Sequence, residues 1–166
     1  PAAHTRRPAT TSEAALADRP AIEVESLNLW YGSFQALFEV DLSIRSGIVT
    51  ALIGPSGCGK STLLRSCNRI NERLGYVTTT GTIRVLGHDV YAPDSSPIQV
   101  RRHVGMVFQR PNPLPLSVRD NVLFGHRLHQ PVRSSRQDEE QLLEAALRQV
   151  LLWDRVKDRL DRKATM

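Results

Sequence analysis

Nine consecutive residues have the composition and spacing of a phosphate-binding loop. They read GPSGCGKST and fit the pattern G-x-x-x-x-G-K-[ST] without a mismatch. Glycines let the backbone N–H groups converge on an anion, the lysine reaches the outer phosphates, and a serine hydroxyl can coordinate Mg²⁺. The sequence therefore predicts that ATP and Mg²⁺ bind here. The predicted cofactor-binding residues are Gly54, Pro55, Ser56, Gly57, Cys58, Gly59, Lys60, Ser61 and Thr62, with Ser61 also a metal ligand.

Three other groups of residues have suggestive chemistry but a simpler explanation. Cys58 precedes a predicted helix, where thiols can become reactive, yet a small side chain filling a loop position explains it as well. His126 and His129 lie three apart with no cysteine or carboxylate cluster beside them, as on a solvated helix end. Residues 150–154 (VLLWD) imitate a magnesium-binding strand end, but they continue an apolar helical stripe.

A phosphate loop requires a strand before it and a helix after it. Residues 49–53 (VTALI) form the short apolar run expected of a central parallel strand that is covered on both faces. From Lys60 onwards, Leu63, Leu64 and Ile70 recur at helical spacing. The loop therefore has its required context, and a glycine turn that matches by chance becomes the weaker interpretation.

The remaining elements follow from periodicity, caps and proline. Alternating apolar and polar residues predict strands from Ala21 and over 38–45, with Phe38, Val40, Leu42 and Ile44 on one face. Further strands are predicted at 82–86 and 104–108. Helices are predicted over 96–102, capped by Ser95 or Ser96, over 117–125, and from Asp138 along a stripe that reaches Leu151. The proline-rich residues 109–117 (QRPNPLPLS) predict a loop.

Composition fits one globular domain and argues against several classes of protein. The chain has 166 residues and a net charge of +5, but its basic residues are dispersed and only 5% of residues are aromatic, so we predict no nucleic-acid partner. The two cysteines suit a reducing cytoplasm. Residues 1–20 lack the apolar core of a secretory signal and are predicted to be a disordered tail.

Two further segments resemble those of the ABC-transporter ATPases. Residues 27–32 (LNLWYG) are similar to the family's aromatic-before-glycine segment, which implies that Tyr31 stacks on adenine. Residues 104–109 (VGMVFQ) are similar to its Q-loop strand. By that resemblance Gln109 is a catalytic residue that approaches Mg²⁺ and the attacking water, and it also touches the transmembrane subunit.

Four segments, among them the proline-rich 109–117, are similar to those of the ATPases of phosphate importers, although Leu114 stands where phenylalanine is expected: they are residues 54–72, 81–91, 104–125 and 152–160. The resemblance covers about Ile22 to Leu160. It implies an α/β P-loop NTPase of the ABC type, with an N-terminal antiparallel β subdomain, an incomplete central parallel sheet and the start of a helical subdomain. Residues 21–166 would form the N-terminal part of an ABC ATPase domain. Within it, 21–109 would hold the β subdomain and P-loop core, and 110–166 the Q-loop and helical start.

The implied function is the ATP-binding, energy-coupling subunit of an importer, with inorganic phosphate as the cargo. Its implied partners are transmembrane permease subunits, through the Q-loop region, and a second ATPase protomer in a homodimer at the cytoplasmic face of the membrane. The family's LSGGQ signature, magnesium-binding aspartate, catalytic glutamate and switch histidine are missing, so we expect a fragment that binds ATP without hydrolysing it and is poorly stable alone. The alternative is a P-loop protein of another class, a kinase or a nucleic-acid-linked ATPase.

Overall fold

The computed structural model describes residues 20–110, 112–129 and 134–165. They form two compact units that divide between Met106 and Val107. The predicted tail over residues 1–20 lies outside the described residues, apart from Pro20, with which the first strand begins. Among the described residues, no helix has both the length and the apolar character needed to cross a bilayer.

The first unit contains four strands and two α-helices. They are β1 (Pro20–Tyr31), β2 (Phe34–Arg45), α1 (Lys60–Cys67), a 3₁₀ helix (Ile70–Leu74), β3 (Val77–Val85), β4 (His88–Asp89) and α2 (Pro97–His103). The strands form one antiparallel sheet in the order β2-β1-β3-β4. This confirms the predicted N-terminal antiparallel β subdomain.

The core of the first unit lies between the sheet and α1. Its buried sheet residues include Leu27, Leu29, Leu37 and Ile83, and α1 contributes Leu63 and Cys67. Because α1 follows the phosphate loop directly, this packing fixes the loop against the sheet.

The prediction that Phe38 lies on the same face of β2 as Val40, Leu42 and Ile44 is wrong. Phe38 is 66% exposed and Leu37 is buried instead. The reason is a bulge at Glu39, which adopts φ +41° and donates its backbone N–H to Asn28 Oδ1 at 3.0 Å. An extra residue in one strand moves every side chain before it to the other face. After the bulge, the predicted alternation holds as far as Ile44.

Neither predicted buried strand, 49–53 or 104–108, is a paired strand in the structure. Val49 and Val107 are 100% exposed and Ile53 is 93% exposed. A central parallel strand needs neighbouring strands to bond its N–H and C=O groups and to support its covering helices. Among the described residues, the only strand pairs are antiparallel ones within the four-stranded sheet, so both segments lack such a neighbour.

The second unit is helical. It contains α3 (Val118–His129), α4 (Arg136–Gln149), α5 (Trp153–Val156) and a 3₁₀ turn (Lys157–Arg159). Its buried core is formed by Leu123, Leu143, Leu147 and Leu160. Around this core, Arg119 pairs with Glu140 and Asp161, and Arg127 pairs with Asp120 and Glu139.

Serine caps precede three helices. Helices α2 and α3 begin within one residue of their predicted starts, whereas α4 begins at Arg136, two residues before the predicted Asp138. The hydroxyl of Ser96 accepts the N–H of Ile98 before α2, and that of Ser135 accepts the N–H of Asp138 before α4. In the same way Ser117 caps the start of α3.

Two predicted helix ends are wrong. Helix α3 continues past Gly125 to His129, because one glycine in a helix costs only about 1 kcal/mol relative to alanine. Helix α4 ends at Gln149, and the stripe does not continue to Leu151, which adopts φ +57° in a turn and is exposed.

Candidate functional site

The phosphate loop contains two glycines in left-handed conformations. Gly57 has φ +84° and Gly59 has φ +92°, values that side-chain-bearing residues rarely adopt. Gly59 also has no space for a side chain, since a Cβ there would lie 2.7 Å from Leu37 Cδ2 and 3.1 Å from the carbonyl oxygen of Ala36. The loop therefore turns tightly against β2, as a phosphate loop must.

The first turn of α1 faces the loop with its positive end. Gly59 is the residue before the helix, and no side chain caps the helix there. The first intrahelical bond runs from the N–H of Leu63 to the carbonyl of Gly59 at 2.8 Å. The N–H groups of Lys60, Ser61 and Thr62 precede that bond, and such groups together with the helix dipole suit an anion.

Lys60 folds back over the loop. Its Nζ donates to the carbonyl oxygens of Gly54 at 2.8 Å and Pro55 at 2.6 Å, and lies 3.3 Å from the Sγ of Cys58. The ammonium group thus lies at the loop and not in bulk solvent. From here it can exchange carbonyl oxygens for phosphate oxygens over a short distance.

Ser61 has the chemistry for one ligand of a magnesium ion that arrives with a nucleotide. It is exposed as the second residue of α1. Mg²⁺ is usually held by a few protein oxygens together with phosphates and water, so one hydroxyl beside a phosphate loop fits that pattern. In the part of the chain that the structure describes, no group of three or more His, Cys, Asp or Glu side chains could hold a metal by itself.

Gln109, the predicted catalytic residue and metal ligand, lies in the second unit. It is exposed and belongs to an irregular segment that follows the unpaired stretch 104–108. Its predicted contacts with Mg²⁺, water and a transmembrane subunit remain predictions.

Tyr31 and the phosphate-loop helix lie together in the first unit. Tyr31 ends β1, packs against the core and donates its hydroxyl to Asn71 Oδ1 at 3.2 Å and, more weakly, to Thr62 Oγ1 at 3.5 Å. Its ring lies edge-on to that of Tyr76, with centroids 6.3 Å apart. Stacking of Tyr31 on adenine remains a prediction.

Sequence reasoning missed Asn71. It lies in a polar connection between α1 and β3, where no motif distinguishes it from other loop asparagines. In the structure it is one of the most buried polar residues and bonds to Tyr31, Thr62 and Ser66. Only these contacts identify it.

The two cysteines differ sharply in environment. Cys58 is exposed in the loop, whereas Cys67 is buried at the end of α1 and bonds to the carbonyl of Leu63. Burial raises the pKa of the Cys67 thiol to about 11. Only Cys58 is thus placed to react.

A profile of the ABC transporter family matches residues 37–166. Similar curated proteins include the phosphate import ATP-binding proteins PstB of Rubrobacter xylanophilus, 49% identical, and of Salinibacter ruber, 48% identical. A PstB of Vibrio vulnificus is 50% identical. The alignments cover 89%, 88% and 89% of this chain but 52%, 57% and 53% of the relatives. The chain thus spans about half the length of the curated relatives it matches.

Among solved structures, a bacterial Atm1-family ABC exporter with ATP bound has a similar fold. The TM-score is 0.66 at 21% sequence identity, over 89% of this chain and 24% of the exporter chain. At this identity the likeness concerns the fold alone.

Proposed function

Because this chain belongs to the ABC transporter family, we propose that it provides the ATP-binding part of an importer's energy-coupling subunit, with inorganic phosphate as the cargo. The relatives at 48–50% identity are phosphate import ATP-binding proteins, which supports both the direction of transport and the cargo. The family match includes the predicted Q-loop as well as the phosphate loop, so it argues against a kinase or a nucleic-acid-linked ATPase.

The observation that carries ATP binding is the geometry of residues 54–62. Left-handed Gly57 and Gly59 curl the loop, Lys60 places an ammonium group over it, and α1 begins without a capping side chain. Each charge-assisted hydrogen bond to a phosphate contributes roughly 1.5–3 kcal/mol. Several such bonds reach the roughly 8 kcal/mol that micromolar affinity requires. Mg²⁺ would neutralise phosphate charge, with Ser61 as its protein ligand.

The two parts of the domain that the sequence predicts have different roles in this proposal. Residues 21–109 hold the antiparallel β subdomain and the phosphate-binding core, and residues 110–166 hold the Q-loop region and the start of a helical subdomain. Transmembrane permease subunits contact the region around Gln109 at the cytoplasmic face of the membrane. A second copy of the ATPase completes a homodimer.

The residues of the phosphate loop, 54–62, include no carboxylate or histidine that could serve as a general base for the attacking water, so we expect this chain to bind ATP without turnover. Sustained hydrolysis of a phosphoanhydride needs a residue that accepts a proton from the attacking water. Gln109 is uncharged and can orient water but not deprotonate it. A phosphate-release assay on the purified chain tests this, and multiple turnovers of ATP would contradict it.

The direct test of ATP binding is calorimetric titration with MgATP. Lys60→Ala should weaken binding by about 10- to 100-fold, since it removes at least one charge-assisted bond. Lys157→Ala is the matched control, because Lys157 is a partly exposed lysine of the second unit that pairs with Asp154. Equal affinities for the wild type and the Lys60 variant would refute the proposal.

The cargo needs a cellular test. Deletion of the gene that encodes this protein should lower the uptake of radiolabelled phosphate and leave sulfate uptake unchanged, and the restored gene should reverse the loss. Loss of sulfate uptake with normal phosphate uptake would assign another cargo to the same ATPase.

A further inference from the structure

A buried asparagine side chain lies between Tyr31, the residue predicted to stack on adenine, and the helix that follows the phosphate loop. Asn71 is 2% exposed and belongs to the 3₁₀ helix after α1. Its Nδ2 donates to the carbonyl oxygen of Thr62 and to Ser66 Oγ, both at 3.0 Å. Its Oδ1 accepts the hydroxyl of Tyr31 at 3.2 Å. One side chain thus joins the end of β1 to the first turn of α1.

The surroundings allow only one orientation of this amide. The carbonyl of Thr62 can only accept a hydrogen bond, so Nδ2 must face it and Oδ1 must face Tyr31. Ser66 Oγ donates to the same carbonyl at 2.9 Å and is therefore free to accept from Nδ2. Every member of the group is satisfied, and a satisfied buried network holds its members in a single arrangement.

We propose that Asn71 is a positioning residue for the nucleotide: its amide holds the Tyr31 ring at a fixed place relative to Thr62, so that base and phosphates are bound by one rigid unit. This inference rests on the proposed function, in which Tyr31 contacts adenine. Both anchors belong to elements that a nucleotide would touch, since Tyr31 ends β1 and Thr62 lies in the loop's GKST sequence. A ring that is fixed in advance loses no rotational freedom when the base binds.

We expect loss of the Asn71 amide to weaken binding of the adenine base and to leave binding of the phosphates unchanged. Loss of the Asn71–Tyr31 bond leaves the Tyr31 hydroxyl with only its weak 3.5 Å contact to Thr62 Oγ1, so the ring can shift, and the phosphate loop keeps its own glycines and Lys60. Affinity for MgATP should fall about fivefold, the change that corresponds to one hydrogen bond. Affinity for magnesium tripolyphosphate, which has no base, should stay unchanged.

Three variants separate positioning from general loss of structure. Tyr31→Phe removes the hydroxyl and keeps the ring, and Asn71→Ala removes the amide. Asn68→Ala is the matched control, since Asn68 is 3% exposed in the same segment but accepts from the N–H of Ile70. The readout is the ratio of the two affinities, measured by calorimetry on the same preparations of the full chain.

We expect the ratio to fall about fivefold in Tyr31→Phe and in Asn71→Ala, with no further fall in the double variant. Asn68→Ala should keep the wild-type ratio. An unchanged ratio in Asn71→Ala, or a double variant that shows the product of the two single effects, overturns the proposal. If Asn71→Ala does not fold, the test rests on Tyr31→Phe, and an unchanged affinity ratio in that variant overturns the proposal. In either case, Lys60-dependent binding of MgATP by the wild type would leave the proposed function standing.

Discussion

Replacement of Gly59 by alanine combines two separate penalties that the structure allows to be distinguished. Gly59 has φ +92°, and an added Cβ would lie 2.7 Å from Leu37 Cδ2 and 3.1 Å from the carbonyl oxygen of Ala36. Gly57 has a similar φ of +84°, but no heavy atom lies within 4 Å of its added Cβ. Gly57→Ala therefore measures the backbone strain alone and serves as the matched control.

The magnitudes follow from these contacts. Left-handed backbone costs an alanine roughly 1–2 kcal/mol, and this applies to both variants. Overpacking of a buried contact adds roughly 1–3 kcal/mol, and this applies only at Gly59, because Leu37 is buried in the core beneath it. We expect the free energy of unfolding to fall by about 2–5 kcal/mol for Gly59→Ala and by about 1–2 kcal/mol for Gly57→Ala.

Urea unfolding followed by tryptophan fluorescence measures the difference. The chain has two tryptophans, Trp30 in β1 and Trp153 in α5, so a Trp153→Phe background leaves a probe of the first unit only. With a urea dependence of roughly 1–3 kcal/mol per molar, the midpoint of Gly59→Ala should lie about 1 M below that of Gly57→Ala. Equal midpoints would mean that Leu37 and Ala36 do not constrain the loop.

Three further predictions concern reactivity, pH and helix stability. Iodoacetamide at mildly alkaline pH should label exposed Cys58 in the native chain and label Cys67 only after denaturation, since burial raises the pKa of Cys67 to about 11; mass spectrometry of the two peptides checks this, and native labelling of Cys67 would contradict its burial. A hydrogen bond from Ser117, assisted by a neighbouring arginine, lowers the pKa of Asp120, so its stabilising contribution is complete above its usual pKa of about 4 and is lost as the pH falls below that value. The melting temperature should therefore depend less on pH between about pH 6 and about pH 3 for Asp120→Asn than for the wild type. Identical profiles would mean that ionised Asp120 does not stabilise the fold. Gly125→Ala should raise the free energy of unfolding of the second unit by about 0.5–1 kcal/mol, because Gly125 lies inside α3 with open space around its Cα; a lower midpoint in urea would contradict the helix assignment.

Features that depend on neighbouring residues were predictable from the sequence. The caps of Ser96, Ser117 and Ser135 join residues two or three positions apart, so their helix starts follow directly from the local pattern. The phosphate loop was predictable for the same reason, since its glycines and lysine lie within nine consecutive residues.

Features that depend on distant residues were not predictable. The bulge that turns Phe38 outwards relies on Asn28, and the role of Asn71 relies on Tyr31, forty positions earlier. The apolar run 49–53 has the composition of a buried strand, but burial requires a neighbour that the described residues do not provide. Local pattern therefore predicted where elements begin better than what each side chain touches.

The contacts of Lys60 affect the heat and the entropy of ligand binding. Ordering a lysine side chain costs roughly 1.5–2 kcal/mol in lost rotamer freedom, and its bonds to the carbonyls of Gly54 and Pro55 impose that cost during folding. A triphosphate that binds here meets a side chain that is already ordered, so the entropy of association is less unfavourable. Each phosphate contact also replaces an existing carbonyl contact, so the heat released is smaller than a solvated lysine would give. The loop thereby shifts the driving force for binding from enthalpy towards entropy.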